Sequence, residues 1–246
     1  MQDTLRVNRI FTPQTLVPQT NIVLESSASQ HLLRVLRLKL GAMVTLFNGD
    51  GHDYQAELIG EEKKCAHFSV LSRVLNTTES PLLTELGIVI SKGDRMDTVV
   101  QKATELGVNV IYPLTSERCD VKLVPERAEK RRLHWQKVAI AACEQCGRAV
   151  VPTVHPIQPL EQWIQTAQAD LAVILHHRSE HAAWPSNVTS ACILIGPEGG
   201  FSETEVTAAE RQSFRAWVLG PRVLRTETAP LTALSILQQR FGDFTL

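Results

Sequence analysis

The spacing of apolar and polar positions changes character near residue 80. Before that point the apolar runs are short and partly alternating: Ala42 to Phe47, His52 to Ile59 and Cys65 to Leu75. Each reads as a β-strand. Asn48-Gly49-Asp50-Gly51 lies between the first two and predicts a tight turn, because Asn and Gly accept positive φ. Together these runs predict a β-meander of the kind that builds a small barrel. Ser26 to Leu38 carries Leu32, Leu33, Val35, Leu36 and Leu38 behind several serines, which predicts one helix with Arg34, Arg37 and Lys39 turned towards solvent or a ligand.

Asn76 to Pro81 is polar and Pro-ended and marks the expected boundary, so the chain divides into residues 1–75 and 76–246. Beyond it, strands alternate with helices. Glu85 to Ile90 reads as a buried strand. Asp94 to Gly107 reads as a helix, since Met96, Val99, Val100 and Ala103 share one face, with Asp94 as its cap and Gly107 as its end. Strands follow at Val108 to Leu114, Asp170 to Leu175, Ala191 to Ile195 and Ala216 to Leu219. Helices follow at Pro125 to Gly147, Pro159 to Ala167, Ser202 to Gln212 and Thr228 to Phe241. This alternation predicts an α/β domain with a mainly parallel sheet.

Composition narrows the class. The chain has 246 residues, 43% apolar and 21% charged, which excludes a disordered chain, a fibre and a coiled coil. No run of 18 apolar residues and no apolar leader occurs, so neither a membrane span nor secretion is expected. Five scattered cysteines then read as reduced thiols in a cytoplasm. The formal net charge is -1, but residues 1–40 hold five basic against two acidic side chains. That local excess fits contact with a polyanion, but charge alone favours ordinary solvated surface.

Three stretches sit where a strand hands over to a helix, the position at which open α/β sheets hold ligands. Ile193 to Ser202 runs from a buried strand into Gly196-Pro197-Glu198-Gly199-Gly200. It lacks the Lys-Ser/Thr ending of a nucleotide phosphate loop and the dinucleotide glycine spacing. Leu219 to Ala229 contains Gly220-Pro221, then Arg222 and Arg225, then Thr226, Glu227 and Thr228. Thr226 or Thr228 serves as a helix cap on this reading, and the two arginines exceed what capping needs. Ser91 to Asp97 adds Lys92 and Arg95, which suit a phosphate near a helix N-terminus or a solvated turn.

Lys92-Gly-Asp-Arg-Met-Asp97, Gln101-Lys-Ala-Thr-Glu-Leu-Gly107, Glu144-Gln-Cys-Gly-Arg148, Ile195-Gly-Pro-Glu-Gly-Gly-Phe-Ser202 and Leu219-Gly-Pro-Arg-Val-Leu-Arg-Thr-Glu-Thr-Ala229 stand in one order along the chain. In that order the chain resembles the RsmE family, 16S rRNA uracil-N3 methyltransferases of the SPOUT class. The resemblance spans nearly the whole chain and is most specific in the last two motifs. It implies an N-terminal PUA-like RNA-binding β-barrel and a C-terminal SPOUT α/β domain with a trefoil knot. It also implies S-adenosylmethionine as methyl donor, small-subunit rRNA as partner, and a homodimer. The donor would sit on Leu175, Gly196, Pro197, Gly199, Gly200, Leu219, Gly220 and Leu224, with the Leu175-His176 strand end as third wall.

The implied chemistry assigns roles. Uracil N3 is protonated at neutral pH, so transfer needs alignment, proton removal and stabilisation of anionic uracil oxygens. Arg225 or Arg222 would stabilise that charge, and Glu198 or Glu227 would act as base or orient one. N3 lies on the pairing edge, so an unpaired or flipped nucleotide is expected. RNA contact is expected at Arg6, Arg9, Arg34, Arg37, Lys39, Lys92, Arg95 and Arg118. No metal is expected: Cys143 and Cys146 lack a second pair and sit at helical spacing, and the His176-His177 pair has no supporting ligands. The four tryptophans read as packing residues. Rival readings are a SPOUT enzyme with another target atom, such as ribose 2′-OH or pseudouridine N1, a non-catalytic rRNA-binding assembly factor, and a nucleotide-phosphate enzyme.

Overall fold

A computed structural model describes residues 8–121, 124–176 and 184–244. They form two compact units, the first holding residues up to Glu79 together with Cys143–Val151, the second holding Ser80–Ala142 and the chain from Pro152 onward.

In the first unit the elements are β1 (Asn8–Phe11), β2 (Thr20–Val23), α1 (Ser26–Gln30), β3 (Met43–Phe47), β4 (His52–Glu62) and β5 (Cys65–Leu75). The strands form one sheet in the order β1-β3-β4-β5-β2, parallel only between β1 and β3. The alternation seen along the chain is the burial pattern: Tyr54, Ala56 and Leu58 of β4 and Ala66, Phe68 and Val70 of β5 point into the core while their neighbours do not. The single helix expected over Ser26 to Leu38 is shorter and broken. After α1 comes a π-helical turn, His31–Val35, and Arg37 then adopts φ 52°. Leu32 is fully buried, whereas Val35 and Leu36 are exposed. The leucines are too dense to share one helical stripe, so the chain keeps only those that reach the core. Ser29, fully buried, fixes α1 by donating to the Leu24 carbonyl and accepting from the Ala66 amide, at 3.0 and 2.9 Å.

The returning segment Cys143–Val151 was not anticipated. Its Ala149 and Cys143 complete a small apolar cluster with Phe47. Arg148, only 4% exposed, forms a two-pronged ion pair with Glu79 at 2.7 and 3.0 Å. Glu144 accepts from the Phe11 amide at 3.0 Å. The Glu144 to Arg148 motif is therefore occupied in holding this unit together.

Cys143 is buried in the same cluster, and burial pushes its thiol from the usual 9.0 up to about 12. Cys192, in the second unit, is shifted in the same direction by burial and by Glu85. Below pH 9 native and unfolded thiols both keep their protons. As pH rises from about 9 towards 12, the unfolded chain releases a proton that the native Cys143 retains, so stability falls through that window. The thermal midpoint is expected to drop with pH there, and less steeply in Cys143→Ala. Equal slopes in the two proteins would assign the effect to other groups.

The second unit contains β6 (Leu83–Val89), α2 (Arg95–Glu105), β7 (Val110–Thr115), α3 (Pro125–Cys146, its last turn belonging to the first unit), β8 (Thr153–Val154), β9 (Gln158–Pro159), α4 (Leu160–Thr166), β10 (Leu171–Leu175), β11 (Ser190–Ile195), α5 (Glu203–Arg211), β12 (Arg215–Trp217) and α6 (Thr228–Phe241). All strand pairs are parallel, in the order β12-β10-β11-β6-β7-β8, with β9 also on β7. Helix α2 packs against α6, and α4 against α5. The α4–α5 side buries Trp163, Leu160, Ile164, Val206 and Phe214 against Val89, Leu114, Ile174 and Leu194 of the sheet.

Three local expectations change. Asp94 precedes α2 but makes no side-chain cap. Asp97, in the first turn, instead accepts from His134 Nε2 at 2.7 Å and Trp135 Nε1 at 3.1 Å, tying α2 to α3. Helix α6 is preceded by Glu227 without a side-chain cap, and its first amides bond the Arg225 carbonyl. Finally, β12 stops at Trp217 because its partner β10 ends opposite it, at Leu175, which leaves Val218 and Leu219 as loop. β8 and β9 are two residues long, too short to show any period.

Candidate active site

Parallel pairing brings the carboxyl ends of β6, β10, β11 and β12 to one edge of the sheet. The chain leaves that edge through His176, through Gly196–Phe201 and through Val218–Glu227, and these exits enclose a cleft of about 650 Å³. That is the size of a small-molecule site. Its walls are Leu175, Ile195, Trp217, Val218, Leu219 and Leu224, and its rim carries Arg95, Arg118, Glu198, Arg222, Arg225 and Glu227. Pro197, Gly196, Gly199, Gly200 and Gly220 also line it.

The glycine loop is shaped partly by its own packing. A Cβ on Gly196 would stand 3.0 Å from the ring of Phe201, which is folded under the loop and 6% exposed. Gly200 has φ 68°, where a side chain is strained. Helix α5 then starts on a capping box: Ser202 Oγ accepts from the Glu205 amide at 3.3 Å, and Glu205 accepts from the Ser202 amide at 2.8 Å. Glu205, 4% exposed, also accepts from the Glu117 amide at 2.8 Å. That carboxylate joins the loop after β7 to the start of α5. The Ser202-x-x-Glu205 spacing is the sequence signal for this cap.

The four residues nominated for chemistry all face this cleft. Arg222 and Arg225 are exposed, and their guanidinium groups have no hydrogen-bond or ion-pair partner among the described residues. Glu198 and Glu227 are engaged: Arg95 makes a close ion pair with Glu198, and its Nε lies 3.8 Å from Glu227. Ser91 and Thr226, both buried, share a hydrogen bond at 3.3 Å, so the threonine nominated as a cap instead braces one loop against another.

The RNA candidates separate into different settings. Arg34, Arg37 and Lys39 are exposed on the first unit. Arg9 is not available: its guanidinium grips Asp53 twice at 2.9 Å, donates to the Arg148 carbonyl at 3.2 Å and lies over the Phe47 ring. An arginine whose terminal nitrogens are engaged in this way has little left to offer a phosphate. Arg118 reaches the Gly199 carbonyl at 3.1 Å. Lys92 pairs with Asp120 at 2.7 Å; that hydrogen bond holds the ammonium above its ordinary value and the carboxylate below its own. Arg6 and His177 lie outside the described residues. Trp217, read as a packing residue, is part of the cleft wall and meets Trp184 edge-on at 4.6 Å. Its clue was its place at a strand end just before the second loop.

Among the described residues no cluster of His, Cys, Asp or Glu is arranged to hold a metal ion, and no helix is long and apolar enough to cross a membrane.

Comparison with known proteins defines the class. An RNA methyltransferase domain matches residues 78–238, and an RNA methyltransferase PUA domain matches residues 24–71. Ribosomal RNA small subunit methyltransferase E of Buchnera aphidicola subsp. Schizaphis graminum is 33% identical over 98% of this chain and 99% of that protein, and the Bacillus subtilis enzyme of the same name is 32% identical over 92% and 93%. The chain belongs to the ribosomal RNA small subunit methyltransferase E family, as the order of its motifs implied. Two solved structures are also similar. A Legionella pneumophila protein solved in complex with the bound cofactor SAM has 41% identity and TM-score 0.92, covering 98% of this chain and 100% of that one. A ribosomal RNA small subunit methyltransferase E from Neisseria gonorrhoeae bound to S-adenosyl methionine has 38% identity and TM-score 0.90, covering 97% and 100%.

Proposed function

We propose that this chain methylates N3 of a uridine in 16S rRNA of the small ribosomal subunit, with S-adenosylmethionine as donor. The observation that carries this reading is the cleft at the carboxyl ends of β10, β11 and β12, in a chain similar over nearly its full length to proteins solved with that donor bound. The residues present fit the donor. Leu175, Leu219 and Leu224 offer apolar surface for adenine and the methionine stem, and the Gly196–Gly200 backbone offers amides and carbonyls unobstructed by side chains. When bound, S-adenosylmethionine supplies an electrophilic methyl on a sulfonium centre.

The chain's own residues do the rest. Arg225 or Arg222, with no competing partner among the described residues, donates to the uracil oxygens as negative charge develops. Glu198 or Glu227 accepts the N3 proton or orients the group that does. Arg34, Arg37 and Lys39, with Lys92, Arg118 and Arg6, contact RNA phosphates. In this reading the loops around the cleft are threaded as a trefoil knot, the five-stranded sheet closes as a PUA-like barrel, and the first part of the chain, joined by Cys143–Val151, supplies most of the RNA contacts while the second carries out transfer. Two copies associate as a dimer in the cytoplasm.

Tritium transfer to naked rRNA, small subunits and whole ribosomes, followed by nucleoside mass spectrometry, tests the assignment. The expected product is 3-methyluridine. A 2′-O-methyl or N1-methylpseudouridine product would replace N3 as the target, and absence of donor binding would favour a non-catalytic assembly factor. The RNA face is tested with Arg34→Glu, Arg37→Glu and Lys39→Glu rather than by deleting residues 1–75, because Cys143–Val151 packs in that unit and would be stranded. Each lost phosphate contact should lower the slope of log affinity against log salt by about 0.7–0.9. An unchanged slope in the triple variant would remove these residues from the interface.

A further inference from the structure

We propose that Arg95 is a positioning residue, a clasp that sets the spacing of the two loops forming the cleft, and not an RNA contact. The inference rests on the reading of that cleft as the methyl donor's site. Arg95 opens α2, directly beyond β6, and β6 lies beside β11 with Ile88 opposite Ile195. That register sets the start of α2 beside the glycine loop. Its guanidinium pairs with Glu198 of that loop and with Glu227 at the end of the second loop. Four residues earlier, Ser91 holds Thr226, the neighbour of Glu227, through a buried hydrogen bond. One short segment thus grips both loops, and Arg95 is the cation that a carboxylate from each loop approaches.

Charge explains why the clasp matters. Each pair alone is partly exposed, with Arg95 at 37%, Glu198 at 48% and Glu227 at 27%, and would be weak. Without the guanidinium, however, two like charges that stood against one cation are left on the rim of the same cleft, and the loops lose both the bridge and the screening of their repulsion. Arginine suits the role because its planar fork can address two carboxylates at once, whereas lysine offers one compact charge. The same engagement leaves Arg95 poorly placed to serve a phosphate, as the sequence motif had suggested.

Titration calorimetry with S-adenosylmethionine on the full chain without RNA, together with steady-state methyl transfer to rRNA, tests the clasp. Arg95→Ala should weaken donor binding roughly tenfold and raise the donor KM more than it lowers kcat, with an unchanged thermal midpoint. Arg95→Lys should fall between the two. Adding Glu227→Gln to Arg95→Ala should recover part of the lost affinity by removing one of the repelling charges; a double variant no better than Arg95→Ala would overturn the proposal. So would donor affinity equal to wild type in Arg95→Ala. A salt slope for RNA binding lowered by about 0.7–0.9 in Arg95→Ala, with donor affinity intact, would identify a phosphate contact and overturn it too. Wild-type protein that binds no donor would instead overturn the reading of the cleft, and the clasp with it.

Discussion

Arg225→Ala is expected to slow methyl transfer by about 100- to 1,000-fold while donor affinity stays within about twofold of wild type, the loss typical of removing one preorganised donor to a developing anion. The size of the effect follows from the setting. The Arg225 carbonyl accepts the amides of Thr228 and Ala229, so the start of α6 fixes the residue's backbone. Its side chain faces the cleft with no other task among the described residues, so truncation removes a donor without unpicking the fold. Arg222, three residues earlier on the same rim, is the control, and the larger loss identifies the group nearer the uracil oxygens. Glu198→Gln belongs in the same series. If Arg225→Ala and Glu198→Gln both transfer methyl groups at the wild-type rate, the assignment of charge stabilisation and proton removal to these loops is wrong.

The largest effect on stability is expected at Trp163. The side chain is 1% exposed, with its ring 5.6 Å from Tyr112 and 5.7 Å from Phe214. It also presses on the backbone of β6, where a Cβ on Gly87 would stand 2.5 Å from the indole. Trp163→Ala removes this filling and leaves a cavity, at a cost of about 3–5 kcal/mol. Gly87→Ala reaches the same contact from the other side and is expected to destabilise by about 1–3 kcal/mol through overpacking. The contact matters for function because Gly87 pairs with Leu194 on β11, the strand that delivers the glycine loop. Urea denaturation of the two single variants checks both figures. A Trp163→Ala loss below about 1 kcal/mol would show that this side of the sheet repacks freely.

The elements that were legible were those whose pattern repeats over many residues. α2 shows its buried stripe as Met96, Val99, Val100 and Ala103, and α6 runs over the expected Thr228–Phe241. β4 and β5 alternate as expected. The α1 region departs from the expectation because dense leucines carry no single period, and only the core decides which leucines are used. β12 ended early because a strand lasts only as long as its partner, which no local pattern reports. The cleft was legible for a different reason. Gly, Pro and Arg directly after buried strands mark loops at strand ends, and the order of the motifs carried the family. What those side chains do could not be read in the same way. Arg9 and Arg148 look like surface charges until Asp53 and Glu79 are found opposite them.

By itself, the sequence determined the alternating, strand-rich first part, the α/β second part, the loops that line the cleft and the family, because local period and motif order are properties of neighbours along the chain. The tertiary structure alone decided that Cys143–Val151 packs with the first unit, that Ser91 meets Thr226, and that Arg95 is shared by Glu198 and Glu227. Those pairings join residues up to 139 positions apart. Whether an arginine is a free cation or half of an ion pair depends on which carboxylate the fold brings within a few ångströms, and charge along the chain holds no record of that distance.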